Sequence, residues 1–209
     1  TDGCQHPLVD MVESSLRNEG YTVERSILTQ TPKPGRDIVC MLDLEEPFLE
    51  NITEKRYQEL VNFLLAVDAD TGILWLTRAA QMNCKDPRWA QSIGLTRAVR
   101  NELAVDVATL ELDNLSTEAN TAIVKVLEKF QRRVKSDDYD PEYEWALENE
   151  KICIGRFHWF SIRDKLSQSQ PGSKAPQRLE IGKRGFLGTL GWVQQPMAVP
   201  VDDQVEIEV

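Results

Sequence analysis

Between Gly72 and Asp113 the spacing of apolar positions changes period twice. Ile73, Leu74, Trp75, Leu76 and Thr77 form a nearly continuous apolar run behind an Asp70-Thr71-Gly72 turn, the pattern of a strand buried on both faces of a parallel sheet. A helix is expected next. Asp86 can cap its free amides, Pro87 at the first helical position has no amide to leave unpaired, and residues 88–102 continue with Gly94 as the one weak point. Val107 to Leu112 then returns as a second apolar strand. Strand, helix and strand make one βαβ unit, whose crossover places it in a parallel sheet.

The flanking segments extend this pattern. Leu8, Val12 and Leu16, with Val9 and Met11 beside them, predict a helix over 8–18 that ends at Gly20. Tyr21 to Leu28 reads as a strand with a half-polar face, Thr31 to Gly35 as a turn, and Ile38 to Leu42 as another buried strand closed by Asp43. Asn51 and Glu54 have capping-box spacing, ahead of a helix over 54–67 whose buried face is marked by Tyr57, Leu60, Val61, Leu64 and Leu65. Thr117 is placed to cap a helix over 117–133, with Ala119, Ile123, Val126, Leu127 and Phe130 inward. The chain opens on a helix, as though the strand that normally precedes it had been cut away. The expected class is α/β: a truncated, Rossmann-like, mostly parallel sheet flanked by helices, with a short antiparallel β extension at the C-terminus. Four helices are few for about five strands, so some apolar surface should stay uncovered.

After Asp137 the character changes. Tyr143 to Leu147 and Ile152 to Trp159 are short strands around a polar turn, and Ser167 to Pro176 is rich in Ser, Gln, Pro and Gly. Arg178 to Ile181, Leu190 to Val193 and Val205 to Val209 have strand-like apolar content. The expected organisation is a Rossmann-like body over 1–166, a flexible linker over 167–176 and a β segment over 177–209 that stops abruptly, as at a cut in a longer protein.

Composition narrows the function classes. A hydrophobic content of 41% suits a globular chain, and no apolar run approaches the roughly 20 residues of a membrane span. With no signal peptide at its start, the chain is expected to be soluble and cytoplasmic. A net charge of −10 argues against nucleic acid and anionic membranes as partners. Much of the acid lies between Asp137 and Glu150, as expected of a solvated surface or of one facing a basic neighbour. Cys4, Cys40, Cys84 and Cys153 form no C-x-x-C pair and read as free buried thiols, with no metal site. Asn51-Ile-Thr53 and Asn114-Leu-Ser116 match the glycosylation pattern but carry little weight without a secretory signal.

A sheet with alternating helices invites a dinucleotide reading, yet its chemistry is missing. No strand-to-helix junction carries G-x-G-x-x-G, and the junction after the central strand, Arg78-Ala-Ala-Gln-Met-Asn-Cys-Lys85, would crowd a phosphate with side chains. Gly182, Gly185, Gly188 and Gly191 suit turns and strand edges. A short-chain reductase also needs Tyr and Lys four residues apart, whereas Tyr21, Tyr57, Tyr139 and Tyr143 are followed at that distance by Arg25, Val61, Tyr143 and Leu147. With only His6 and His158, neither a catalytic triad nor a zinc site is expected. Trp75 belongs to the core, while Trp89 in the first turn of its helix is expected to be half exposed and available to another domain.

Several segments together resemble a known pattern. Ile73-Leu-Trp-Leu-Thr-Arg78, Asp86-Pro-Arg-Trp-Ala90, Gly94-Leu-Thr-Arg-Ala-Val-Arg-Asn-Glu102 and Ala108-Thr-Leu-Glu-Leu-Asp113 are similar to the pseudo-ketoreductase subdomain of fungal highly reducing polyketide synthases. Asp140-Pro-Glu-Tyr-Glu144 and Ile152-Cys-Ile-Gly-Arg156 resemble its closing segment. Arg178-Leu-Glu-Ile181, Gly185 to Val193 and Val205 to Val209 resemble the entrance to the enoylreductase domain that follows. The resemblance implies a non-catalytic structural subdomain that binds no cofactor, inside a multienzyme whose reductive domains use NADPH. Its implied partners are the catalytic ketoreductase and enoylreductase of the same chain, with Trp89, Tyr143 and Trp145 as candidate interdomain contacts. The alternative is a degenerate short-chain reductase or nucleotide-binding module completed by residues outside this sequence.

Overall fold

In the computed structural model, which describes residues 6–133, 141–156, 161, 177–185 and 189–194, the strand-helix-strand centre is present. Strand β1 is Ile38–Cys40, β2 Gly72–Arg78, β3 Asp106–Leu112, β4 Glu144–Glu148 and β5 Lys151–Ile154. They form one sheet in the order β1-β2-β3-β4-β5, parallel except for the antiparallel β4–β5 pair. The helices are α1 Pro7–Asn18, α2 Glu54–Leu65, α3 Ala90–Leu103, entered through a 3-10 turn at Pro87–Trp89, and α4 Thr117–Gln131.

Alternation along the strands explains the continuous apolar runs. Leu74, Leu76, Ala108, Leu110, Leu112, Trp145 and Leu147 pack in one core with α1 and α4, while Ile73, Trp75 and Val107 pack in another with α2 and α3. Both faces of β2 and β3 are therefore dry. The strands are laid down in one direction across the sheet, yet α4 lies on the face opposite α2 and α3. The β3-α4-β4 crossover thus has the opposite hand to the two before it, a departure from the usual uniformity. On that face α4 packs against α1, where Asn120 Nδ2 donates to Ser15 Oγ at 2.9 Å.

Helix ends follow local chemistry, with some corrections to the sequence reading. Gly20, at φ 89°, closes α1 as expected, its N–H donating to Arg17 O while that of Tyr21 donates to Leu16 O. The cap of α2 is Thr53, whose hydroxyl accepts from Arg56 N–H, because Asn51 takes a left-handed backbone in the turn before it. Ser116 caps α4, so Thr117 is its first helical residue. Tyr57 and Leu65 face solvent on α2, and only Leu60 and Leu64 are fully buried there. Tyr21 to Leu28 forms no strand: it is held against α1 by side chains, Arg17 donating to Val23 O and Arg25 pairing with Asp10 and Glu13. Cys84 is exposed, not buried, and Cys40 and Cys153 are half-buried. Cys4 lies outside the described residues.

The N-terminal ends of the strands meet at one guanidinium. Arg133 donates to Asp106 Oδ2 at 2.9 Å and to Asp37 Oδ1 at 3.2 Å, Gly72 N–H donates to the same Asp37 oxygen, and Tyr143 OH donates to Asp106. The starts of β1, β2 and β3, the lead into β4 and the end of α4 are thereby tied together.

The chain divides into two compact units, Thr1–Arg156 and Phe157–Val209. In the second, β6 (Gln177–Ile181) and β7 (Leu190–Gln194) pair antiparallel, with Leu179 opposite Trp192 and Ile181 opposite Leu190. All four of these side chains are exposed. The expected strands at 157–159 and 205–209 and the linker at 167–176 lie outside the described residues.

Gly72 has no room for a side chain: an added Cβ would sit 2.6 Å from both Arg133 Nη2 and Phe130 Cε1. Gly72→Ala is expected to cost about 1–3 kcal/mol, read as a lower urea midpoint at unchanged slope.

Candidate functional site

Ligands of parallel sheets sit outside the carboxyl ends of the strands. Here that edge carries an open cleft of about 460 Å³ lined by His6, Leu44, Glu45, Arg78, Trp89 and Leu115. Behind it, Asp43 at the end of β1 is fully buried and accepts from Phe48 N–H at 2.6 Å, Trp75 Nε1 at 2.8 Å and the Ser92 hydroxyl. One carboxyl thus joins the loop after β1, the middle of β2 and the first turns of α3. Burial raises its pKa, and the three donors act against that shift without cancelling it.

The junction after β2 is closed by a second carboxylate. Glu111, on β3 and 2% exposed, accepts from the backbone amides of Ala80 and Gln81 through one oxygen, each at 2.7 Å, and from Gln81 Nε2 through the other at 2.8 Å. His6 caps α1, its Nδ1 accepting from Leu8 N–H at 3.1 Å. Arg78 lies at the tip of β2; among the described residues its guanidinium has no hydrogen-bond or ion-pair partner, and burial lowers its pKa while Asp113 opposes the shift. Among the described residues no group of three or more His, Cys, Asp and Glu side chains is placed to hold a metal, and no helix is long and apolar enough to cross a membrane.

The three aromatic candidates are not brought together. Trp89 is 9% exposed, which corrects the expected half-exposed ring: the 3-10 turn tucks it against the strand ends, where its carbonyl faces the Thr77 hydroxyl. Trp145 is 6% exposed and stacks edge-on against Phe130. Tyr143 is half-buried near the opposite edge of the sheet, its hydroxyl on Asp106 and its ring under the Arg100 guanidinium at 5.0 Å. Arg97 and Arg100 of α3 both hold Glu144, and the Arg97 hydrogen bond is the main cause of that carboxyl's lowered pKa.

The exposed apolar residues at this end are Ile152 and Ile154 on β5, opposite Leu147 and Trp145. They continue the α4-covered face past the reach of α4. The sequence reading placed them in a strand without singling them out. Asp43, Glu111 and His6 were also missed as bonding groups, although an acid inside the run Ala108-Thr-Leu-Glu-Leu112 is itself a signal, since such a carboxylate must find donors.

Asp43→Ala would leave three buried donors unpaired and is expected to cost on the order of 3 kcal/mol. The raised pKa fixes a pH dependence. In the window from about 3.9 up to its folded value, native Asp43 holds a proton that the unfolded chain releases, so stability falls as pH rises and then levels off. Urea midpoints across this range should lose that downward component in Asp43→Asn.

Comparison with known proteins agrees with this architecture. A family model described as HRPKS sdrA-like, NAD(P)-binding Rossmann-fold domain matches residues 3–158. Highly reducing polyketide synthase g433 of a Fusarium species is 42% identical over 201 residues, which is 95% of this chain and 8% of that protein. Highly reducing polyketide synthases sphB of Aspergillus fumigatus and gloL of Glarea lozoyensis are 33% and 36% identical over 97% and 96% of this chain, again 8% of their own length. The chain therefore spans under a tenth of these multidomain relatives. It belongs to the HRPKS sdrA-like Rossmann-fold domain family, a subdomain of fungal highly reducing polyketide synthases.

Proposed function

We propose that this chain is a non-catalytic structural subdomain that scaffolds the catalytic ketoreductase and the neighbouring enoylreductase of its parent synthase, whose reductive domains use NADPH in the cytoplasm. The observation that carries this reading is the occupied junction after β2, where the two leading amides are bound by Glu111. A pyrophosphate needs such amides free, and here both are already engaged by a carboxylate of the protein itself. Among the described residues, those lining the cleft include no Tyr/Lys pair for proton transfer.

A second reading is favoured by one observation and by the family's description as NAD(P)-binding: Arg78 lines the cleft, and among the described residues its guanidinium has no ion pair. Under it, the chain is a degenerate short-chain reductase or nucleotide-binding module completed from outside. Isothermal titration separates the two. The scaffold reading expects no saturable heat below roughly millimolar NADPH, the regime of about −4 kcal/mol. Micromolar binding would overturn it.

The contact with the ketoreductase is assigned to the uncovered face of β5. Ile152 and Ile154 are exposed there beside the buried Trp145, and Tyr143 and Trp145 support the strand pair from within. Ile152→Ser with Ile154→Ser is expected to leave the melting temperature nearly unchanged and to weaken association with a separately expressed ketoreductase by about tenfold or more. Trp89→Ala, by contrast, should lower the melting temperature, as for any buried Trp. The exposed face of the β6–β7 hairpin is assigned to the enoylreductase side, because two strands with a bare apolar face are marginal alone. If 167–176 links the two parts, limited proteolysis should cut there before any other loop. First cleavage elsewhere would argue against a linker.

A further inference from the structure

We propose that Glu111 is a built-in anion: its buried carboxylate fills the amide cradle at the β2-to-α3 junction that would otherwise receive the acidic group of a ligand. The assignment rests on the scaffold reading and deepens it, by naming the group that closes the edge.

Two successive backbone amides converge here on a single oxygen, Glu111 Oε2, each at 2.7 Å. Convergent amides in a loop that follows a strand are the usual means by which a protein holds a phosphate or carboxylate. In this chain the bound anion comes from the adjacent strand, about thirty residues further on, and Gln81 closes over its second oxygen. The carboxylate cannot diffuse away, because Glu111 sits within β3, paired with Thr77 and Ala146 on either side. Any incoming phosphate would meet amides already engaged and a fixed negative charge behind them. The loop from Ala79 to Lys85 gains a fixed path in exchange, without a single glycine.

A carboxylate that merely packs in the core and one that occupies an anion seat respond differently when the seat is emptied. In Glu111→Ala of the full 209-residue chain the melting temperature should fall by roughly 5 °C or more, because two amides lose their acceptor. Added sodium formate, which supplies the missing carboxylate, should recover much of that loss saturably, at concentrations up to about 0.5 M. Formamide of the same shape should not, and the wild-type protein should show no such gain. Should the alanine variant fail to fold, Glu111→Gln keeps an oxygen for the amides but removes the charge. Hydrogen exchange at Ala80 and Gln81 should then be faster than in wild type by about tenfold. Equal formate effects on wild type and variant, formamide acting as well as formate, or unchanged exchange in Glu111→Gln would overturn the assignment. The scaffold reading is decided separately by titrating wild-type protein with NADPH, so either can fail while the other stands.

Discussion

The structure depends on a central strand pair, β2 and β3, that is buried on both faces. Once Leu74, Leu110 and Leu112 are covered on one side and Trp75 and Val107 on the other, the middle of these strands is cut off from water, and a charged group there is costly unless it is paired within the protein. The buried and half-buried acids are placed where that requirement is met. Asp43 and Glu111 lie near the C-terminal ends of β1 and β3, and Asp37 and Asp106 at the opposite ends, each within reach of an amide, hydroxyl, indole or guanidinium. The two edges of the sheet are thus fastened by different chemistry. The N-terminal edge uses the Arg133 guanidinium, and the C-terminal edge uses backbone and side-chain donors around two carboxyls.

The same constraint shapes the outline of the sheet. Strands β2 and β3 must be roofed twice, so α4 is spent on the α1 face and no described helix covers β5. That strand is paired along β4 through an Asn149-Glu150 turn with both residues at positive φ, the geometry of a tight two-residue hairpin. The hairpin ends the parallel order and presents Ile152 and Ile154 beyond the reach of any described helix. An uncovered apolar strip beside a well-packed one is what a contact with further chain requires.

What the sequence disclosed follows from which signals are local. The strands at 73–77 and 107–112 and the helices were legible because burial on two faces, or on one helical face, writes a period into adjacent residues. Gly20 and Asp86 were legible because capping is settled within a few residues. Asn51 and Thr117 were misplaced by one or two positions, since Thr53 and Ser116 also offer a side-chain oxygen that can accept from a helix amide, and only the backbone path decides between them. Trp89 misled because a position in the first turn of a helix does not by itself fix depth, and here the ring is 9% exposed. Glu111 and Asp43 act over about thirty residues or more, a separation at which a single sequence marks the acid but not its donors.

Charge gives a further argument about the cleft itself. A dinucleotide pyrophosphate carries two negative charges and needs surrounding dipoles or cations to offset them. The described residues lining this cleft include one guanidinium, Arg78, and one carboxylate, Glu45, and the two convergent amides of the loop after β2 are already bound by Glu111. His6, which lines it too, directs a ring nitrogen lone pair at its own helix to accept from Leu8. Among the described residues that line the cleft, Arg78 is the one fixed cation. Arg78 is itself partly desolvated, which lowers its pKa, while the Asp113 carboxylate acts against that shift.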